Sequence, residues 1–141
     1  MLVLDCSAAM AIVLKTEEGT ALASLMLKDE KVLSTQLFIA EMSSALSKHV
    51  KAGDSDSKLA RILCTQALDL VDEFVDMSEN CLEALDEGIR HGHSTYDMFY
   101  LTLARRNGAT IFTLDHRLIA LCEKLKIDCV HVMAPDGVAS L

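Results

Sequence analysis

Short stretches of strand character alternate with longer helical patterns along the whole chain, and this alternation limits the possible folds more than any other feature. The strand-like stretches are Met1 to Leu4, Val32 to Thr35, Glu73 to Met77, Thr110 to Thr113 and Cys129 to Met133. Helical patterns cover Ser7 to Leu14, Gly19 to Leu27, Leu37 to Val50, Ser57 to Leu70, Cys81 to His91, Thr95 to Arg106 and Arg117 to Leu125. Parallel strands require crossover connections, and those are usually helices, so the pattern predicts an α/β fold with a central, mostly parallel five-stranded sheet covered on both faces. Asn107-Gly108 and Ala52-Gly53-Asp54 supply helix stops at the expected places. No Pro-rich or Ser-rich linker divides the chain and no repeat recurs, so residues 1–141 read as one domain.

Composition excludes several functions. A hydrophobic fraction of 51% with one Pro and six Gly argues against disorder, while two Tyr, four Phe and no Trp leave too few rings for a base-stacking platform. The longest apolar run, Ala8 to Leu14, is far too short to span a membrane, and Asp5 arrives too early for a secretory leader, so a cytoplasmic protein is expected. Five scattered cysteines without a Cys-x-x-Cys pair read as free thiols. A net charge of −8 excludes a generic basic nucleic-acid binder. The surplus is local, however: eight acidic residues and no Lys or Arg lie between Asp69 and Glu87, and the remainder balances. That stretch reads as a solvated face or a docking surface for a basic partner. There is no phosphate-binding Gly-rich loop and no serine nucleophile elbow, and His91-Gly92-His93 reads as a surface turn.

In open α/β sheets, sites lie beyond the carboxyl ends of the strands. Asp5 and Asp115 stand there, although each also suits a helix N-cap. Asp97 fits a capping box with Ser94, yet shares a helix side with Tyr100, Leu101 and Ala104. Glu41 lies among Leu37, Phe38, Ala45 and Leu46, on or beside an apolar stripe, or else on its polar border near Lys48. Converging carboxylates cannot all ionise cheaply without cations, so such a cluster suits Mg²⁺ or Mn²⁺ and the hydrolysis of phosphodiesters. Ser7 and Thr113 offer hydroxyls at its rim.

These residues fall in segments that resemble a known family. Asp5-Cys6-Ser7-Ala8-Ala9, Glu41 followed by Met42-Ser43-Ser44-Ala45-Leu46, the run from Tyr96-Asp97 to Ala104, and Gly108 to Asp115 resemble the successive motifs of the PIN domain, in order, from Met1 to about Val132. The chain looks most like the small PIN ribonucleases of the VapC toxin type. The resemblance implies a parallel sheet flanked by helices, an Mg²⁺- or Mn²⁺-dependent endoribonuclease, frequent homodimers and a small antitoxin partner. Asp5, Glu41, Asp97 and Asp115 align with the family's acidic quartet, and Ser7 and Thr113 with its hydroxyl positions. Cys6 and Gln36 depart from common family residues without removing a ligand. Candidate RNA contacts are Lys48, Lys51, Arg105, Arg106 and Arg117, each of which also reads as ordinary solvated surface. The other readings are a catalytically inactive PIN-fold module that binds RNA or protein, and a receiver-like phosphotransfer domain, for which Asp5 lacks an acidic neighbour.

Overall fold

The computed structural model describes residues 1–132. Five strands, β1 (Leu2–Leu4), β2 (Val32–Thr35), β3 (Glu73–Val75), β4 (Thr110–Phe112) and β5 (Cys129–Val130), form one sheet in the order β3-β2-β1-β4-β5. Every neighbouring pair is parallel. Leu2, Val3 and Leu4 are all fully buried, and because successive strand residues point to opposite faces, both faces of the sheet are covered at β1.

Among the described residues, seven α-helices provide that cover: α1 (Cys6–Val13), α2 (Glu17–Leu25), α3 (Leu37–Lys51), α4 (Ser57–Asp69), α5 (Cys81–His91), α6 (Thr95–Asn107) and α7 (His116–Leu125). The core beneath them is chiefly aliphatic, with Leu2, Leu22, Met42, Met98, Leu101, Ile111 and Leu118 fully enclosed and Phe38 the largest of the fully enclosed side chains.

Most boundaries fall within one or two residues of those expected, and the differences have local causes. Helix α2 begins at Glu17 because the Thr16 side chain accepts from Gly19 N, leaving Glu17 and Glu18 in the first turn, where the helix dipole favours acids. Strand β3 ends at Val75, since Asp76 caps a 3₁₀ turn over Met77–Glu79. Strand β5 is two residues long, and the expected strand end at Met133 lies outside the described residues.

Part of the acidic stretch is engaged within the fold, while Asp69, Asp76, Glu79 and Asp86 stay exposed as a solvated face. Asp72 accepts from Val32 N, Glu73 pairs with Lys31, and Glu83 and Glu87 of α5 face Arg105 and Arg106 of α6. Glu87 is only 3% exposed and also meets Arg90 and His91, as a buried charge requires. Asn80 completes the joint by donating to Phe99 O and Thr102 Oγ1.

Helix α2 lies so close on α1 that a Cβ at Gly19 would sit 1.9 Å from Ala11 O. Backbone cannot yield as a side chain does, so Gly19→Ala should lose about 3 kcal/mol or more in urea unfolding. Gly53, at φ +84° with nothing within 4 Å, serves as the control: alanine there should lose only about 1–2 kcal/mol. Equal losses would show that the approach of α1 and α2 is loose.

Candidate active site

The strand order explains where a site can form. From β1 the chain builds outward to β2 and β3, then returns to the other side of β1 for β4 and β5, so the topological switch point lies between β1 and β4. Asp5 follows β1 directly, and Thr113 follows β4; the register Leu4↔Phe112 sets the two exits side by side. Asp5 N–H bonds to Phe112 O at 3.2 Å across that junction.

Asp5 is buried and uses both carboxylate oxygens. Its Oδ1 accepts from Ala8 N at 2.9 Å, as the N-cap of α1, and from Ser7 Oγ at 2.8 Å. Its Oδ2 accepts a short bond from Thr113 Oγ1. Ser7 Oγ in turn accepts from Leu114 N, and Thr113 Oγ1 from Asp115 N, each at 2.9 Å. The two hydroxyls thus lace the segment after β1 to the segment after β4. Asp115 caps α7 through Oδ1, which accepts from Arg117 N and Leu118 N. The cap reading and the site reading therefore hold together for Asp5 and Asp115: the same fold point that places a carboxylate at a sheet exit starts a helix there, and the positive helix terminus helps to hold the negative charge.

Two helices packed on the sheet, α3 and α6, bring the other acids. Glu41, half-buried on α3, accepts from Tyr100 of α6 at 2.5 Å through Oε1. Asp97, in the first turn of α6, does not close a capping box; Ser94 Oγ accepts from Tyr96 N, and the Asp97 carboxylate faces His93 Nδ1 at 3.6 Å. His93, read from sequence as part of a surface turn, is thus a neighbour of the cluster. Tyr100 was read only as a helix-side residue, since nothing in the sequence pairs positions 41 and 100.

The carboxylates feel one another. Burial raises Asp5 to about 6 against the hydrogen bonds from Thr113, Ala8 and Ser7, with a further upward push from Asp115. Asp97 is also raised to about 6, first by burial, then by the charges of Asp115 and Glu41, with His93 and Arg117 opposing. Burial raises Glu41 above the usual range despite Tyr100, again with help from Asp115. Burial and the adjacent Glu41 keep the Tyr100 phenol protonated.

Among the described residues, no three His, Cys, Asp or Glu side chains are arranged to hold a metal ion by themselves. The donors are nonetheless all oxygen, mutually repelling and at a sheet exit, which fits a hydrated hard cation such as Mg²⁺, held through one or two carboxylates and its own waters, better than a closed cage.

The positive candidates divide. Arg117 is near enough to lower Asp97. Arg105 and Arg106 lie about 12 Å farther along α6 than Asp97, held by Glu83 and, for Arg105, Glu87. Lys48 is exposed about 10 Å beyond Glu41 along α3, and Lys51 ends that helix. The structure brings neither to the cluster.

The linkage has a definite sign. The folded chain holds the Asp5 proton more tightly than the unfolded chain, so this group's contribution is fully present below 3.8 and is lost as pH rises through about 6. The loss at neutral pH is on the order of 3 kcal/mol. Asp5→Asn, which retains a capping oxygen, should therefore raise the melting temperature of metal-free protein at about pH 7.5, and the gap should close toward about pH 4. A variant destabilised equally at both pH values would show that the charged cap, not repulsion, dominates.

Comparison with known proteins agrees with the geometry. The chain is similar in structure to the crystal structure of PAE2754 from Pyrobaculum aerophilum, with a TM-score of 0.69 and 24% identity over 84% of each chain. No curated protein sequence matches it significantly. The family model of the PIN domain matches residues 2–124, a span that contains β1 to β4 and all four carboxylates, and the chain therefore belongs to the PIN domain family.

Proposed function

We propose that this protein is a metal-dependent endoribonuclease, the toxin of a type II toxin–antitoxin pair of VapC type, acting in the cytoplasm. The carrying observation is geometric: Asp5 and Asp115 leave the adjoining β1 and β4 exits laced together by Ser7 and Thr113, and Glu41 and Asp97 stand near enough for the charge of Asp115 to act on both. PIN domains are generally metal-dependent nucleases, which supports the same reading. Mg²⁺ or Mn²⁺ would be held in this cluster through one or two of the four carboxylates directly and the others through its waters, and when bound it supplies a water of lowered pKa and neutralises charge on a phosphate.

The chain's own residues have definite parts in this reading. Ser7 and Thr113 fix the Asp5 carboxylate through hydrogen bonds to both of its oxygens. Tyr100 fixes Glu41. Arg117 and His93 offset negative charge beside Asp97 and are the nearest groups to receive a phosphate. An RNA substrate, a small antitoxin and a homodimer complete the proposal. The exposed stripe Leu82, Leu85 and Ile89 on α5 is an apolar face that a second copy or another partner would cover. The alternative, an inactive PIN-fold module binding RNA or protein, has against it the cost of keeping coupled carboxylates that such a module has no use for.

Protein freed of partners should cleave RNA with Mg²⁺ or Mn²⁺, and EDTA should stop it. Asp5→Asn and Asp97→Asn should each abolish cleavage, and each should lose the thermal stabilisation that Mn²⁺ gives the unaltered chain. Thr113→Val should lower activity about 10–100-fold by releasing Asp5. Undiminished cleavage by Asp97→Asn would overturn the site, and RNA binding without cleavage at saturating metal would leave the module reading.

A further inference from the structure

His93 is delivered to Asp97 by the joint between α5 and α6. Gly92 ends α5 in the left-handed conformation, and His93 N–H then bonds back to Gly88 O at 3.0 Å. A Cβ at Gly88 would lie 3.2 Å from His93 O, so the backbone at this point is pressed against α5. Ser94 caps α6 directly afterwards, which brings the imidazole over the first turn of that helix, where Asp97 lies. Nδ1 stands 3.3 Å from Ser94 O and 3.6 Å from Asp97 Oδ2. Nε2 is buried without a hydrogen-bond partner. Both acceptors thus lie on the Nδ1 side, and the contacts assign the ring proton there, since an N–H at Nε2 would be enclosed and unpaired.

The other three carboxylates are each held by a neighbouring donor: Asp5 by Ser7 and Thr113, Glu41 by Tyr100, and Asp115 by the first amides of α7. Resting on the metal-site reading above, we propose that His93 is the corresponding positioning residue for Asp97: it holds Oδ2 and leaves Oδ1 to a Mg²⁺ or Mn²⁺ ion that it does not itself ligate. Its nitrogens exclude ligation as they stand, because Nδ1 carries the proton facing Asp97 and Nε2 is enclosed. A hard cation also prefers the carboxylate oxygen to an imidazole. Groups that orient a ligand from behind act on metal affinity almost as strongly as the ligand does.

The test titrates the full chain with Mn²⁺ and follows its melting temperature. His93→Leu, which keeps bulk but has no donor, should need about 10–100-fold more Mn²⁺ to reach half of the full stabilisation. His93→Asn, whose amide can donate from the Nδ1 position, should recover most of that loss, and His93→Gln, whose amide lies at the Nε2 position, should not. Electron spin-echo spectra of Mn²⁺ bound to the unaltered chain should show no coupling to His93 nitrogen. Equal Mn²⁺ midpoints for the unaltered chain and a folded His93→Leu would overturn the role while leaving the metal site in place. Where His93→Leu does not fold, equal midpoints for the Asn and Gln variants would overturn it. Nitrogen coupling that His93→Gln removes would make His93 a ligand and overturn it as well. An unaltered chain that Mn²⁺ does not stabilise would overturn the metal-site reading and this proposal with it.

Discussion

The burial of Asp5 at the end of the central strand is the constraint on which the site depends. A carboxylate that loses its water must be met by donors, and here they come from both sides of the switch point: Ala8 N and Ser7 from the segment after β1, Thr113 from the segment after β4. Those bonds fix two loops to each other and start α1 and α7 at defined points. The hydrogen bonds offset desolvation only in part, and burial still holds the Asp5 carboxyl up at about 6.

Around that fixed point, helix packing does the rest. Helix α6 is buried along most of its length, Met98 to Ala104, and its contact with β1 and β2 sets Asp97 and Tyr100 over the sheet exits. Helix α5 secures α6 from outside through Glu83, Glu87 and Asn80. Of the acidic stretch, Glu83 and Glu87 serve this joint and engage Arg105 and Arg106, while Asp69, Asp72, Glu73, Asp76, Glu79 and Asp86 stay exposed. Charge near the cluster is left to His93 and Arg117.

Crowded carboxylates lower the stability of the metal-free fold at neutral pH, and proteins accept such local conflict chiefly at functional sites. That conflict lies beyond the ends of the two interior strands β1 and β4. At several other points local preference and tertiary environment agree: Thr16 and Asp56 cap their helices, and Gly92 and Gly108 end theirs in the left-handed conformation.

The sequence by itself determined the alternation of strands and helices, the α/β class and the positions of the carboxylates relative to strand ends, because hydrophobic period and capping residues are local signals. It also carried the ordered motifs that mark the PIN domain. What it left open were relations between residues far apart in the chain. Whether Asp97 capped Ser94 or faced a cleft, and whether Glu41 turned to Lys48 or to the core, followed from how α3 and α6 pack on the sheet, which brings Tyr100 to Glu41 over a separation of 59 residues. His93 acquired a place beside Asp97, and Arg105 and Arg106 were drawn to α5, for the same reason. Period and capping fix elements; only the packing of those elements fixes which side chains meet, since that depends on burial and charge summed over the whole chain.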